Sequence, residues 1–275
     1  MDTGTRALSA GSGEPSHPSP DRHRDRGAVL ILAEGREYIY IRSIVLNPPA
    51  AVPWRRQPLR RAPMQGPHLV YFADPMCSWC WGFSPVIDAI TEKFGDDLPI
   101  RLVLGGLRPR TVEPMDDSSR ADVRSHWEHV HEASGQTFDF AFFDRPRFVY
   151  DTEPPCRAIA VIRRQGMQHA LAALKRIHRA FYAENQDVTD TETLVRLAGE
   201  IGVDPDRFRA EFTSDAAIEE TWADFELTQG AGVRGFPTLI AGQGDDGRYS
   251  LVTHGFQTAG RILPALEGWF DKRAA

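Results

Sequence analysis

Short apolar runs alternate with long amphipathic segments along this chain, and the alternation predicts a mixed α/β fold. Residues 68–73 and 99–106 are short, apolar and rich in strand-forming side chains. Between them, residues 85–94 carry apolar side chains at helical spacing until Gly95 ends the pattern. A strand, a helix and a second strand in this order form a βαβ unit, which favours parallel pairing of the two strands.

A long helical stretch follows, and strand patterns return only near the end of the chain. The predicted helices of this stretch are 116–133, 154–162, 168–185, 189–201, 204–212 and 214–228. Residues 235–241 and 249–253 are then predicted strands, which the turn residues 242–247 join into a hairpin. An amphipathic helix over 258–272 completes the order βαβ, helical insert, ββα.

The first 65 residues differ in composition from the rest. Residues 1–27 are polar and rich in Ser, Gly, Pro, Asp and Arg, so we expect them to be disordered. The apolar run 28–33 and the alternating run 38–46 predict a short hairpin, which is marginal when it stands alone. The run 28–33 is also too short and too far along the chain for a secretory signal. Residues 48–63 are typical of a proline-rich linker.

These patterns divide the chain into three predicted parts. Residues 1–65 form an N-terminal extension, largely disordered with a possible short hairpin. Residues 66–107 and 231–275 together form an α/β domain, and residues 108–230 form an inserted all-helical domain.

Composition and charge remove several classes of function. The chain has 275 residues and a formal charge of −6, but residues 1–65 hold ten arginines against six acids, which leaves 22 basic and 32 acidic residues in the remainder. An acidic body has no electrostatic footprint for nucleic acid. Three cysteines are too few for a disulfide-built scaffold, and no apolar run is long enough to span a membrane.

The most distinctive chemical feature is a pair of cysteines, Cys77 and Cys80, between the first predicted strand and the first predicted helix. Unpaired N–H groups and the positive dipole end at a helix N-terminus stabilise a thiolate, which favours Cys77 as the nucleophile. Cys80 lies one turn later on the same face, where it can resolve a mixed disulfide. We expect Trp79, Trp81 and Phe83 to form an apolar rim for a client.

The alternatives for such a pair are half of a zinc site or two buried thiols without redox chemistry. A four-cysteine site is impossible because Cys156 is the one remaining cysteine, and no histidine follows at a zinc-finger spacing. His126, His129 and His131 surround Trp127, but a solvated helix face explains this cluster more simply than a metal does. We therefore predict no metal, and we interpret Cys156 as a buried small side chain in preference to a regulatory thiol.

This order of elements, together with two motifs, resembles the DsbA-like thioredoxin-fold thiol:disulfide oxidoreductases over residues 67–272. The family has a C-x-x-C at the start of its first helix, a helical insert and a proline loop before its third strand. The corresponding segments are Cys77-Ser78-Trp79-Cys80, the helices between about 110 and 230, and Gly235-Phe236-Pro237-Thr238. The segments around Cys77 and Cys156 are most similar to the cytosolic branch called predicted protein-disulfide isomerase. The resemblance implies a thioredoxin-like α/β fold with a large inserted all-helical domain.

The resemblance also implies a set of site residues. Pro237 is expected to be cis and to pack opposite Cys77, so that the backbone of Phe236 pairs with an extended client beside the sulfur. Asp74 precedes Cys77 by three residues, and it either tunes the thiolate or proton transfer or merely ends the strand. The residues expected to bind substrate are Trp79, Gly235, Phe236, Pro237 and Thr238.

The expected function is that of a thiol–disulfide oxidoreductase or isomerase acting on disulfide-containing proteins or low-molecular-weight thiols. No bound cofactor is expected, and glutathione or another thiol would set the redox state. Without an export signal the protein is expected in the reducing cytoplasm, where reduction or isomerisation is favoured over net oxidation. Neither nucleic acid nor a membrane is an expected partner, and the sequence does not specify the oligomeric state.

Two other functions stay open from the sequence. One is a glutathione-dependent isomerase or transferase of the kappa-class and chromene-carboxylate isomerase group, whose members generally have Ser at the position of Cys77. The other is a non-catalytic binding or redox-sensing module, in which Cys77 and Cys80 only report the presence of an oxidant.

Met64 precedes the first core strand by four residues, and we expect it to be the true start of the protein. Mass spectrometry of the natively expressed protein tests this expectation. A peptide from residues 1–60 would contradict it.

Overall fold

The fold is described from a computed structural model of the chain. The residues it describes are 29–33, 36–40, 66–244 and 248–274. The predicted disorder of residues 1–27 and the predicted linker over 48–63 lie outside the described residues.

Six strands form one mixed sheet. They are β1 (Val29–Ala33), β2 (Arg36–Tyr40), β3 (His68–Ala73), β4 (Ile100–Leu104), β5 (Thr238–Gly242) and β6 (Arg248–His254). Their order across the sheet is β1-β2-β6-β5-β3-β4. β3 and β4 are parallel, as the βαβ pattern predicted, and β5 runs antiparallel to both β3 and β6. β3 is buried along its whole length, as expected for the central strand of a sheet covered on both faces.

Eight helices surround this sheet in the described residues. They are α1 (Ser78–Phe94), α2 (Asp117–Ser134), α3 (Glu153–Ile162), α4 (Met167–Tyr182), α5 (Thr191–Glu200), α6 (Pro205–Phe212), α7 (Asp215–Gly230) and α8 (Ala259–Ala274). Helices α2 to α7 lie between β4 and β5 in the chain, where the helical insert was predicted. Four of these helices begin after a side chain that accepts a hydrogen bond from a backbone N–H three residues later: Asp116, Asp190, Asp204 and Ser214.

Helix α1 is longer than its apolar spacing indicated, because it begins at Ser78 and continues through Pro85. Proline has no N–H group, so the carbonyl of Trp81, four residues earlier, loses its helical partner. The side-chain amide of Gln136 donates to that carbonyl at 3.0 Å instead. Gln136, two residues beyond α2, thus replaces the missing hydrogen bond, and α1 continues through Pro85 to Phe94.

A hairpin forms in the region predicted for one, although its second strand begins at Arg36, two residues before the predicted run 38–46, and residues 41–46 lie outside the described residues. β1 and β2 pair antiparallel, with Val29 opposite Tyr40. β2 also pairs with β6, with Tyr38 opposite Ser250. The hairpin therefore does not stand alone, since it extends the sheet at the β6 edge and gains the pairing that an isolated hairpin lacks.

Trp127 forms the centre of an aromatic cluster between α2 and α4. The histidines on either side of it are exposed, as the solvated-face interpretation expected, but Trp127 itself is only 1% exposed. Its ring lies 4.9–6.3 Å from the rings of Phe138, Phe140, Phe142, Phe143, Phe181 and Tyr182. This burial joins α2 to the rest of the helical insert.

The exposed edge of β4 is closed by a buried ion pair. Arg163, just after α3, pairs with Asp224 of α7, and both side chains are nearly inaccessible to solvent. Arg163 also donates to the Leu102 carbonyl at 3.2 Å, and Asp224 accepts from the Leu104 N–H at 3.1 Å. The pair thus satisfies main-chain groups that an edge strand leaves without partners.

We expect Asp224→Ala to lower the free energy of unfolding by about 3–5 kcal/mol, because it leaves the buried Arg163 charge without its carboxylate. The matched control is Asp88→Ala, which breaks the exposed Asp88–Lys175 pair and should cost less than about 1 kcal/mol. Denaturant unfolding of the three proteins measures both values. Equal losses in the two variants would contradict the role assigned to the buried pair.

Candidate active site

The two cysteines occupy the first turn of α1. Cys77 is the N-cap residue, and its carbonyl accepts from the N–H groups of Cys80 at 3.0 Å and Trp81 at 3.1 Å. Cys77 is 7% exposed and Cys80 is fully buried, and both are free thiols. The order of exposure is the one predicted for an attacking thiol and a resolving thiol.

The proline loop faces Cys77 across the end of the sheet. The Phe236–Pro237 peptide bond is cis, as the resemblance implied. The Cys77 thiol donates to the Phe236 carbonyl oxygen, with 3.7 Å between Sγ and O. Within the loop, the Thr238 hydroxyl donates to the Gly235 carbonyl at 2.8 Å. The fold thus brings Gly235, Phe236, Pro237 and Thr238 next to a thiol that lies about 160 residues earlier in the chain.

The Phe236 ring packs into the fold, because a glycine leaves room for it. A Cβ atom placed on Gly105, just after β4, would come within 2.3 Å of the ring. Any side chain at this position would push Phe236 aside. The close contact holds the ring against the end of β4 and leaves the Phe236 backbone beside Cys77.

The predicted aromatic rim is wrong for two of its three residues. Trp79, two residues after Cys77, is half-buried, and its ring lies 5.7 Å from that of Phe256. Trp81 is 7% exposed and stacks on Tyr182, and Phe83 is fully buried. Their positions on α1 turn them toward the helical insert and the sheet, where they form core contacts instead of a client surface.

Asp74 is completely buried and connects three segments of the chain. Its two oxygens accept from the N–H groups of Met76 at 2.9 Å and Leu107 at 2.7 Å. The Cys156 thiol also donates to Asp74, at 3.6 Å. Burial raises the pKa of Asp74 to about 6, although these amide donors partly oppose the shift. Asp74 therefore does more than end a strand, while its part in tuning the thiolate stays a prediction.

Burial raises the pKa of the Cys80 thiol well above its usual range. The neighbouring Cys77 raises it further, as does negative charge on Asp74, whereas the Asp74 backbone amide acts in the opposite direction. Cys80 is thus held as a thiol in its resting state.

Sequence reasoning missed the role of His178, on α4. Its Nε2 lies 3.2 Å from the Asp74 carbonyl and its Nδ1 lies 3.3 Å from the Ser84 hydroxyl. Burial lowers the pKa of His178 to about 4, so the ring is neutral. The available signal was a histidine within the apolar stripe of an amphipathic helix, a position that predicts core packing. Tyr150 was missed as well, and its hydroxyl donates to the Met76 carbonyl at 2.7 Å.

Residues 68–258 match the family model of the DSBA-like thioredoxin domain. The chain belongs to this family. The resemblance inferred from the cysteine pair and the proline loop is therefore confirmed, as is the thioredoxin-like fold with its helical insert.

Solved structures of other DSBA-like proteins share most of this fold. A candidate protein disulfide isomerase from Nitrosomonas europaea is 35% identical with a TM-score of 0.70, and the match covers 76% of this chain and 99% of that one. The cytosolic disulfide reductase DsbM from Pseudomonas aeruginosa is 30% identical with a TM-score of 0.59, over 75% of this chain and 97% of that one.

Curated relatives are more distant. The ClpXP adapter protein SpxH of Halalkalibacterium halodurans is 24% identical over 186 residues, which is 66% of this chain. The match spans 59% of the length of that adapter.

The described residues contain neither a membrane-spanning helix nor a cluster of metal-binding side chains. None of the described helices has both the length and the apolar character needed to cross a bilayer. Within the same part of the chain, no three His, Cys, Asp or Glu side chains are grouped so that they could hold a metal ion.

The raised pKa of Asp74, about 6, predicts a pH-dependent stability. An unfolded Asp titrates near about 3.9, so the native state binds this proton more tightly than the unfolded chain does. The resulting stabilisation is complete below about pH 4 and is lost as the pH rises through about 6. Relative to Asp74→Asn, the wild-type unfolding free energy should fall by about 3 kcal/mol between about pH 4 and about pH 8.

Denaturant unfolding across this pH range measures the difference between the two proteins. Asp88→Asn, which removes an exposed carboxyl from the same region of the chain, serves as the control and should show no such trend. Parallel curves for wild type and Asp74→Asn would contradict the assigned shift.

Proposed function

We propose that this DSBA-like protein is a thiol–disulfide oxidoreductase that reduces or isomerises disulfides through Cys77 and Cys80. The observation that carries the proposal is a contact of Cys77, the N-cap residue of α1. Its Sγ lies 3.7 Å from the carbonyl oxygen of Phe236 in the proline loop. This contact places a helix-stabilised nucleophile beside main-chain groups that can pair with an extended client.

The first step is attack by the Cys77 thiolate on one sulfur of a substrate disulfide. The substrate S–S bond breaks, a mixed disulfide forms with Cys77, and the departing thiolate takes a proton from solvent. The residues proposed to hold the client at this stage border the cysteine: Trp79, Gly235, Phe236, Pro237 and Thr238. Asp74 is proposed to act on the thiol pair through its negative charge, which disfavours the thiolate form of Cys80.

The second step decides between reduction and isomerisation. If Cys80 loses its proton and attacks Cys77 Sγ, the mixed disulfide breaks and the Cys77–Cys80 disulfide forms. The client is then reduced by two electrons, and the protein is oxidised. If another client thiol attacks first, the client disulfide is rearranged with no net electron transfer. Because the pKa of Cys80 is raised, little of its thiolate is present to attack Cys77. The mixed disulfide therefore lasts longer, and a second client thiol can attack it first.

A low-molecular-weight thiol is the proposed source of electrons. Two glutathione molecules would return the oxidised pair to two thiols and be joined as glutathione disulfide. DsbM, solved with glutathione, is 26% identical to this chain with a TM-score of 0.58 in that structure. The description of DsbM as a cytosolic disulfide reductase also supports a cytoplasmic location and the reducing direction. No metal and no bound cofactor enter these steps.

A non-catalytic binding module is the second candidate, and the SpxH relatives favour it because their name describes adapter proteins. In that case the chain would hold a partner without exchanging disulfides. The glutathione-dependent isomerase group has less support, since this chain has Cys77 where that group generally has Ser.

Cys80→Ala should trap mixed disulfides at Cys77, because the resolving thiol is absent while the attacking thiol remains. Non-reducing electrophoresis and mass spectrometry of the captured species measure this. The matched control is Cys77→Ser with Cys80→Ala, which should capture nothing covalently. Insulin reduction by Cys77→Ser should fall to the uncatalysed rate.

Three outcomes separate the candidate functions. Insulin reduction that persists in Cys77→Ser would overturn the proposal. A partner that binds equally well to wild type and to the double cysteine variant, without disulfide exchange, would favour the adapter function. Glutathione-dependent turnover of an aromatic substrate by Cys80→Ser would favour the isomerase group.

A further inference from the structure

The hydroxyl of Tyr71 is buried beneath the cysteine pair, where ordinary packing does not explain it. Tyr71 lies in β3 and is 1% exposed. Its ring is 5.9 Å from that of Phe83, one turn of α1 beyond Cys80. Among the described residues, its hydroxyl oxygen is shielded from solvent and has no hydrogen-bond partner of normal geometry. Such a group destabilises a fold, so its presence requires an explanation.

Tyr71 and Cys80 belong to the same cluster of buried side chains. Phe83, whose ring faces Tyr71, lies three residues after Cys80 on the same face of α1. Burial raises the pKa of Tyr71 well above its ordinary value, and negative charge on the neighbouring Cys80 raises it further. Tyr71 therefore keeps its proton whether Cys80 is a thiol or a thiolate. Ser84, whose hydroxyl donates to the Cys80 carbonyl at 3.2 Å, lines with Tyr71 a cleft of about 650 Å³ between α1 and α4. Tyr71 thus packs against the face of α1 that carries Cys80 and Phe83.

A thiol and a thiolate differ in what they offer this hydroxyl. Neutral sulfur is a weak acceptor, which fits the unpartnered hydroxyl of the free-thiol state, whereas a thiolate is a strong one. The other groups that face Cys80 oppose each other: Cys77 and the Asp74 carboxylate disfavour its charged form, and the Asp74 backbone amide favours it. His178 is held neutral nearby and adds no charge. Among these groups the Asp74 backbone amide alone favours the thiolate, so a hydrogen bond from Tyr71 would add a second favourable contact.

We propose that the Tyr71 hydroxyl donates a hydrogen bond to the Cys80 thiolate and thereby speeds resolution of the mixed disulfide. The inference rests on the proposed thiol–disulfide exchange. Cys80 releases its proton to solvent, the thiolate attacks Cys77 Sγ, the bond between Cys77 and the client sulfur breaks, and the client thiolate takes up a proton. Tyr71 donates throughout and does not transfer its own proton.

Tyr71→Phe tests this directly, because it keeps the ring that packs against Phe83 and removes only the hydroxyl. The substrate is a small aromatic disulfide whose two thiolate products are coloured. The first coloured thiolate reports attack by Cys77, and the second reports resolution by Cys80. We expect the first phase to change less than about twofold and the second to slow about tenfold, as expected for one lost hydrogen bond to a charged group.

Tyr182→Phe is the matched control, because it also removes a buried tyrosine hydroxyl that has no hydrogen-bond partner of normal geometry in the described part of the chain. Tyr182 lies next to Tyr150, and the charged cysteine that acts on it is Cys77, not Cys80. It should leave the second phase unchanged. Thermal unfolding of both variants accompanies the kinetics. Equal slowing of both phases together with lost stability would overturn the proposal, since that pattern indicates a structural role.

A second measurement does not depend on exchange activity. In a Cys77→Ser background, ultraviolet absorbance of the thiolate follows the titration of Cys80, and Tyr71→Phe should raise its pKa by about one unit. An unchanged titration together with an unchanged second phase would overturn the inference. If wild type itself shows no second phase, the proposed function fails, while the titration still decides whether Tyr71 acts on Cys80.

Discussion

The buried carboxyl of Asp74 is the constraint on which the rest of this structure depends. A carboxyl group removed from water is costly unless donors surround it. Here those donors come from the turn before α1, from the loop after β4 and from α3, through Met76, Leu107 and Cys156. The three segments must be in place together for the group to be satisfied. The helical insert therefore contributes to the floor of the cysteine pair and is not merely attached to the α/β core.

This constraint also separates the chemistry of the two cysteines. Cys77 lies at the solvent side of the helix N-terminus, against the carbonyl of Phe236. Cys80 lies one turn deeper, where burial and the charge of Asp74 raise its pKa. The two cysteines, one helix turn apart, therefore have different environments. Cys77 lies at the positive end of the helix dipole, whereas Cys80 lies near the buried carboxyl group of Asp74.

Patterns along the sequence predicted the elements closely, since the strands and helices follow local periodicity. β3 has the predicted bounds of 68–73, and the cysteine pair and Pro237 lie where their motifs indicated. Contacts between distant segments were harder to predict. The pairing of β2 with β6 depends on chain positions about 200 residues apart. Trp81 was assigned to a rim because composition does not show which way a helix faces, and His178 looked like a core residue because its partners lie on other elements.

The shifted pKa values beneath Cys80 favour the proposed chemistry over simple partner binding. A module that only holds a partner needs a suitable surface around Cys77 and gains nothing from what lies beneath it. Below Cys80, however, the fold holds an acid with a raised pKa, a histidine kept neutral and a hydroxyl without a normal partner. Burial disfavours the charged forms of the acid and of the histidine, and groups with strongly shifted pKa values concentrate at functional sites. They surround the cysteine that the proposed exchange uses to resolve the mixed disulfide.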